Sequence, residues 1–169
     1  MSPINILENQ RKFREAIGQF ITAFAEVEVY LTIYDSMIDS KRTNNVFLVE
    51  SFSNPLKIKL KHINRFIKEY LGDNFYLRWQ IIEAEIEDLN LFRHHIIHGT
   101  GFSSYWSETI KTMLKEDSKN QILNHREFSI KDIKALSERV YHVLTGNDGI
   151  QGIFFEDFMR DFKTYLQSQ

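Results

Sequence analysis

The chain reads as an all-α protein, a helical bundle of about five helices with one small β-hairpin inserted after the third. Three observations carry that expectation. Apolar residues recur at steps of three and four along most of the length, which is the period of a helix with one buried face. Only 2 Pro and 7 Gly interrupt 169 residues, so helices can run long. Polar caps and turn residues fall where the periodic runs begin and end. The length suits one domain over 1–169, large enough to bury a core without covalent staples.

The first helix opens on Ser2 as a cap with Pro3 in the first turn. Phe13, Ile17, Phe20, Phe24, Val27, Leu31, Tyr34 and Ile38 then form one unbroken apolar seam, which ends in the polar stretch 39–45. Asn54-Pro55 reads as cap and first-turn proline of a second helix that buries Leu56, Leu60, Ile63, Ile67 and Leu71 and closes at Gly72. Asp73 caps a third, with Phe75, Trp79, Ile82, Ile86 and Leu89 on its seam and its end at Gly99. In 100–128, Ile110, Thr112 and Leu114 alternate with Lys111, Met113 and Lys115, and the polar run 116–120 supplies a turn, so a β-hairpin is expected. Trp106, Ile110 and Met113 or Leu114 also fit a short helix. Ser129 with Asp132 has the spacing of a capping box for a fourth helix over 130 to about 144. After the turn signal 145–149, a fifth runs from 153 to about 166 with Phe154, Phe158, Phe162 and Tyr165 on one side.

Composition removes several function classes. With no Cys there is no disulfide framework, cysteine nucleophile or thiolate zinc site, and a reducing cytoplasm fits. No run of 18 apolar residues occurs, and the start Met-Ser-Pro-Ile-Asn lacks the features of a signal peptide, so neither a membrane partner nor export is expected. The net charge of −2 offers no global attraction to nucleic acid, leaving only local patches. The 14 Phe and 7 Tyr are accounted for mostly by the seams, that is by core packing.

The periodicity breaks at the end of the third helix, in Leu89-Asn90-Leu91-Phe92-Arg93-His94-His95-Ile96-Ile97-His98-Gly99. The seam continues from Leu89 onto Arg93, where the pattern asks for Leu or Ile. An unpaired buried charge costs on the order of several kcal/mol, so a carboxylate, a solvated dimer interface or a bound anion should compensate. At about 100° per residue, His94 and His98 lie about 40° apart, whereas Arg93 and His98 lie about 140° apart. The long arginine side chain, or a second copy of the helix across a two-fold axis, would be needed to unite them. Three uses fit these residues. They are solvated or structurally paired groups favoured by the helix macrodipole. Or His94 and His98 are metal ligands, though His95 stands where the usual zinc helix has Glu and no third ligand is evident. Or they perform acid–base chemistry on an anionic substrate, with histidine moving protons and arginine holding phosphate oxygens.

Arg93-His94-His95-Ile96-Ile97-His98 resembles the signature of HEPN domains (higher eukaryotes and prokaryotes nucleotide-binding). That signature is an arginine, four to six residues and a histidine, with a polar residue commonly following the arginine, as His94 does. Leu89-Asn90 and Ile97-His98-Gly99 are similar to the flanks found in many such proteins, and Phe24-Ala25-Glu26-Val27-Glu28-Val29-Tyr30-Leu31 is similar to their first helix. The lead Phe128-Ser129-Ile130-Lys131-Asp132-Ile133 is similar to the approach to their penultimate helix.

The resemblance implies a homodimer with facing motifs that cleaves RNA with neither metal nor cofactor, in the toxin or defence branch of the family. An antitoxin or other regulatory protein is an implied partner. Arg93 would hold the scissile phosphate, His98 would be the general acid or base, and His94 an accessory group. Inactive members that bind a nucleotide or a protein are the alternative, and a purely structural dimerisation module is a third. Asn90 would contact phosphate or brace Arg93, or be an ordinary polar flank. Glu28, beside the first seam, is a candidate counter-charge for Arg93 or a solvated edge group. Lys57, Lys59, Lys61, Arg65 and Lys68 against Glu69 give the second helix a local charge of +4, either a rim for RNA, led by Lys57, Lys61 and Arg65, or a solvent face. Tyr105 and Trp106 would stack on bases or cover the bundle end. The acidic run 83–88 reads as a solvated face rather than a metal site.

Overall fold

The structure, a computed structural model, describes residues 3–43, 51, 53–98, 100–103, 109–115 and 123–167. The assignments made to Ser2, Gly99, Tyr105, Trp106 and the run 116–120 lie outside the described residues. The elements are α1 (Pro3–Thr43), α2 (Leu56–Tyr70), α3 (Asp73–His98), β1 (Thr100–Ser103), β2 (Thr109–Lys115), β3 (Leu123–Ser129), α4 (Ile130–Thr145) and α5 (Ile153–Gln167). The fold is all-α with the small antiparallel insertion after the third long helix. Each helix coincides with a periodic run, because burial of one apolar face outweighs local propensity over such lengths.

The hairpin β2–β3 is joined by a third strand, giving the order β1-β2-β3. β2 pairs antiparallel on both sides, with Thr100 to Ser103 opposite Met113 to Ile110 and Thr109 to Lys115 opposite Ser129 to Leu123. The added strand satisfies the backbone donors and acceptors on the second edge of β2. At four residues it is too short to show a period of two.

The chain divides into two compact units, described in turn. The first comprises residues up to Ala23 and Glu87–Val140. Its buried residues are Phe13, Ala16, Phe20 and Ala23 of α1, Leu89 and His95 of α3, Thr112 and Phe128 of the sheet, and Ile133, Leu136, Ser137 and Val140 of α4. The capping box forms as expected. Asp132 Oδ2 accepts from the Ser129 backbone N–H and hydroxyl, each at 2.7 Å, and Ser129 Oγ accepts from the Asp132 N–H at 3.1 Å. These bonds hold the Asp132 carboxyl below the ordinary carboxylate range. Lys111 and Glu127, directly opposite across the hairpin, pair at 3.7 Å on its exposed face.

The second unit comprises Phe24–Ile86 and Tyr141–Gln169. Its core is aromatic. The Tyr34 ring meets Phe158 edge-on at 4.6 Å and Phe75 meets Phe154 at 4.6 Å, while Phe66 contacts Phe158, Phe162 and Tyr165. Arg78 bridges Asp148 at 2.7 Å and Asp157 at 2.9 Å, with its guanidinium 5.5 Å from the Phe75 and Phe154 ring centres. Two boundary assignments are corrected. Asn54 does not cap α2: its amide donates to Asp35 Oδ2 at 3.0 Å, and the Pro55 carbonyl accepts the first helical N–H groups. Asp73 lies inside the first turn of α3, and the Gly72 carbonyl accepts from Tyr76 at 3.0 Å. Gly72 closes α2 with φ 84°, the left-handed conformation that favours glycine.

By length and composition the segment Leu7–Ile38 of α1 is sufficient to cross a membrane, with an 18-residue window of mean hydropathy 1.3. The residues that raise this value are the seam of a core helix. Phe13, Phe20, Phe24, Val27, Leu31 and Tyr34 are all buried within the protein.

Candidate active site

The last turns of α3 have two distinct sides. Leu89 is buried, and the next buried residue along α3 is His95, while Phe92 and Arg93 are both half-buried. His95 is 0% exposed, with Nδ1 3.4 Å from the Thr112 hydroxyl of β2, and the Phe92 ring meets Phe128 of β3 edge-on at 6.0 Å. The sheet therefore covers a side of α3 that lies about 120° round the helix from Leu89 at His95. Arg93, where the seam was expected to continue, is half-buried.

Residues on the side of α3 away from His95 form a continuous arc. Going round the helix from Arg93, Ile97, Asn90, His94 and His98 follow within about 140°. His94 and His98 are exposed, Asn90 and Arg93 half-buried, and Ile97 is 43% exposed. Leu91, about 20° beyond His98, is 40% exposed. The His94 and His98 rings are 4.8 Å apart, and Arg93 Nη1 lies 3.5 Å from Asn90 Oδ1. The structure thus brings together Asn90, Arg93, His94 and His98 on one helix.

For a metal, His94 and His98 have the required i, i+4 placement. Among the described residues, however, no group of three or more His, Asp or Glu side chains is disposed to hold one. The acidic run is engaged otherwise: Asp88 pairs with Arg139 at 2.6 Å, and Glu83 accepts from Asn64 at 3.3 Å.

The remaining sequence candidates belong to the second unit. Glu28 is half-buried on α1, and its backbone carbonyl accepts from Thr32 at 2.7 Å. Lys57, Lys61 and Arg65 are exposed along one face of α2, with Arg65 bonded to Glu69 at 2.9 Å. That hydrogen bond raises the guanidinium pKa further. Lys59 does not contribute to the basic face. It is 6% exposed and donates to the Thr32 hydroxyl at 2.7 Å. Lys68 lies over the Tyr76 ring at 5.6 Å.

Two features escaped sequence reasoning. Asp35, 1% exposed, accepts from Asn54 and lies 2.8 Å from His62 Nδ1. No local spacing links residues on two helices, although a carboxylate on the α1 seam flank was a signal. In the first unit, Arg126 of β3 and Arg139 of α4 both lie over the Phe92 ring, at 4.6 and 5.7 Å from its centre.

No protein-family model matches this chain, and no curated protein or solved structure matches it.

Proposed function

We propose that the protein is a metal-independent endoribonuclease of the HEPN type, acting as a homodimer in which two copies of the α3 end face each other. The observation that carries this is the arc itself: Asn90, Arg93, His94 and His98 share a side of α3 away from His95, with both His94 and His98 exposed. Two exposed apolar residues, Leu91 and Ile97, accompany them and suit burial against a second copy.

Cleavage by the RNA's own 2′-hydroxyl needs proton transfer at two oxygens and stabilisation of the charged pentavalent phosphorus. In this reading His98 of one copy takes the 2′-hydroxyl proton as the oxygen attacks phosphorus. The bond from phosphorus to the 5′-oxygen breaks, and His98 of the second copy protonates the leaving oxygen. The products are a 2′,3′-cyclic phosphate and a free 5′-hydroxyl. Arg93 binds the non-bridging oxygens, Asn90 steadies Arg93, and His94 orients His98. No metal is required by this balance.

The alternative is a non-catalytic module of the same type that binds a nucleotide or a partner protein through this arc, which the apolar Leu91 and Ile97 favour equally. Incubating purified protein with RNA in EDTA separates the two. The nuclease should generate cyclic-phosphate ends. Arg93→Ala should lower the rate about 10²–10³-fold and His98→Ala about 10²–10⁴-fold, with the dimer intact. Full activity in both variants rules the nuclease out, and binding without any cleavage by the wild type supports the module.

A further inference from the structure

A groove of about 490 Å³ opens in the first unit, lined by Phe92, Phe128, Ala135 and Leu136 with Arg126 and Arg139 at its rim. This is within the usual volume of ligand sites. Its chemistry is specific. Phe128 and Leu136 make a buried apolar floor, and Phe92 stands half-buried beside them. Two guanidinium groups lie over the Phe92 ring. Their electrostatic situations differ. Arg139 is paired with Asp88 at 2.6 Å, whereas Arg126 takes part in no ion pair among the described residues. The two carboxylates at the groove are also engaged elsewhere: Glu127 with Thr109 and Lys111, and Asp132 with Ser129 in the capping box. Among the described residues, then, Arg126 stands as a cation without an ion-pair partner beside an aromatic, guanidinium-flanked seat.

We propose that this groove seats one unpaired nucleotide of an RNA strand, with its base on the apolar floor and its phosphate on Arg126. A base offers the flat π-face that aromatic rings and guanidinium planes recognise, and the phosphate supplies the anion that Arg126 lacks. An acidic peptide would neutralise Arg126 but leave the aromatic seat unused. The inference takes RNA as its ligand from the reading above, and it extends that reading. Phe92 and Arg93 are consecutive and about 100° apart on α3, so a strand held at Phe92 passes beside the exposed arc.

The test is fluorescence anisotropy with a single-stranded 2′-O-methyl oligonucleotide, which has no nucleophile to be cleaved, and with the same strand carrying abasic sites. Arg126→Ala should weaken binding about tenfold and lower the salt slope by about 0.7, the loss of one phosphate contact. Ala135→Glu, at an exposed helical position that lines the groove, should weaken it similarly by filling the groove with negative charge. The abasic strand should bind the wild type about as weakly as the intact strand binds Arg126→Ala. Wild-type affinity in both folded variants, or equal binding of the abasic strand, overturns the proposal. So does tighter, Arg126-dependent binding of an acidic peptide of equal charge. If the wild type cuts no RNA while Arg126 and Ala135 still control oligonucleotide binding, the nuclease reading fails and the groove stands. Cleavage with binding indifferent to both positions fails the groove alone.

Discussion

Replacing Tyr34 by Phe removes one hydrogen bond and almost nothing else, so its cost can be worked from the structure. Tyr34 is fully buried, and its hydroxyl donates to the Ile150 carbonyl at 2.9 Å across 116 positions of sequence. The ring contacts to Phe154, Phe155 and Phe158 are all edge-on and survive the change. What is lost is the bond, together with the cost of leaving a buried carbonyl without that donor, about 1–2 kcal/mol in sum. For a domain of this length that corresponds to a melting temperature lower by about 3–6 °C. In urea the midpoint should fall with the slope unchanged, because the surface exposed on unfolding is the same. Tyr34→Ala adds a cavity in the aromatic cluster and should cost about 3–5 kcal/mol. The hydroxyl also predicts an alkaline signature. Burial, followed by the neighbouring Tyr30, pushes the phenol pKa well above its ordinary value. The folded state then binds this proton more tightly than the unfolded chain does. That stabilisation is whole below about pH 10 and is lost as pH rises further. Wild type should lose stability above about pH 10 more steeply than Tyr34→Phe. A Phe variant with an unchanged midpoint and the same alkaline slope would mean that the Tyr34 hydroxyl adds nothing to stability.

Three further outcomes can be checked. Hydrogen bonding from Arg78, and then the charge of Arg160, hold the Asp157 carboxyl below the ordinary range. Its contribution is present above about pH 4 and is lost as pH falls, so melting curves from about pH 6 to 3 should drop less for Asp157→Asn than for wild type. An equal drop would show the pairing to be inconsequential. A Cβ at Gly149 would collide with the Leu144 carbonyl, so Gly149→Ala should destabilise by about 1–3 kcal/mol in denaturant titration, and an unchanged midpoint would count against this turn geometry. Leu91→Asp with Ile97→Asp should convert a dimer to monomer by sedimentation and abolish cleavage, whereas a persistent dimer would place the interface elsewhere.

The helices were legible because each repeats its apolar residues over several turns. The cap at Ser129 was legible because Asp132 answers it three residues on, within a single element. The cap at Asn54 misled for the converse reason. The same amide found Asp35, 19 positions away, and nothing in the local sequence registers that competitor. Lys59 looked like part of a basic face because charge is counted per residue, while the structure turns its ammonium inward to Thr32. Arg93 was visible as a charge on the seam position of α3, and the histidines as three within five residues. The side on which they lie was not, since it depends on where β2 and β3 are placed.

Sequence alone determined the all-α architecture, the positions of its helices and the concentration of Arg93, His94 and His98 at one helix end, because these rest on local periodicity and composition. Only the tertiary structure decided that His95 turns inward against Thr112 while Asn90, Arg93, His94 and His98 share a side away from it, and that Arg126 and Arg139 converge on Phe92. Those arrangements depend on strand pairing and on contacts between residues distant along the chain. Helical periodicity records that a residue is buried or exposed, but not which element covers it.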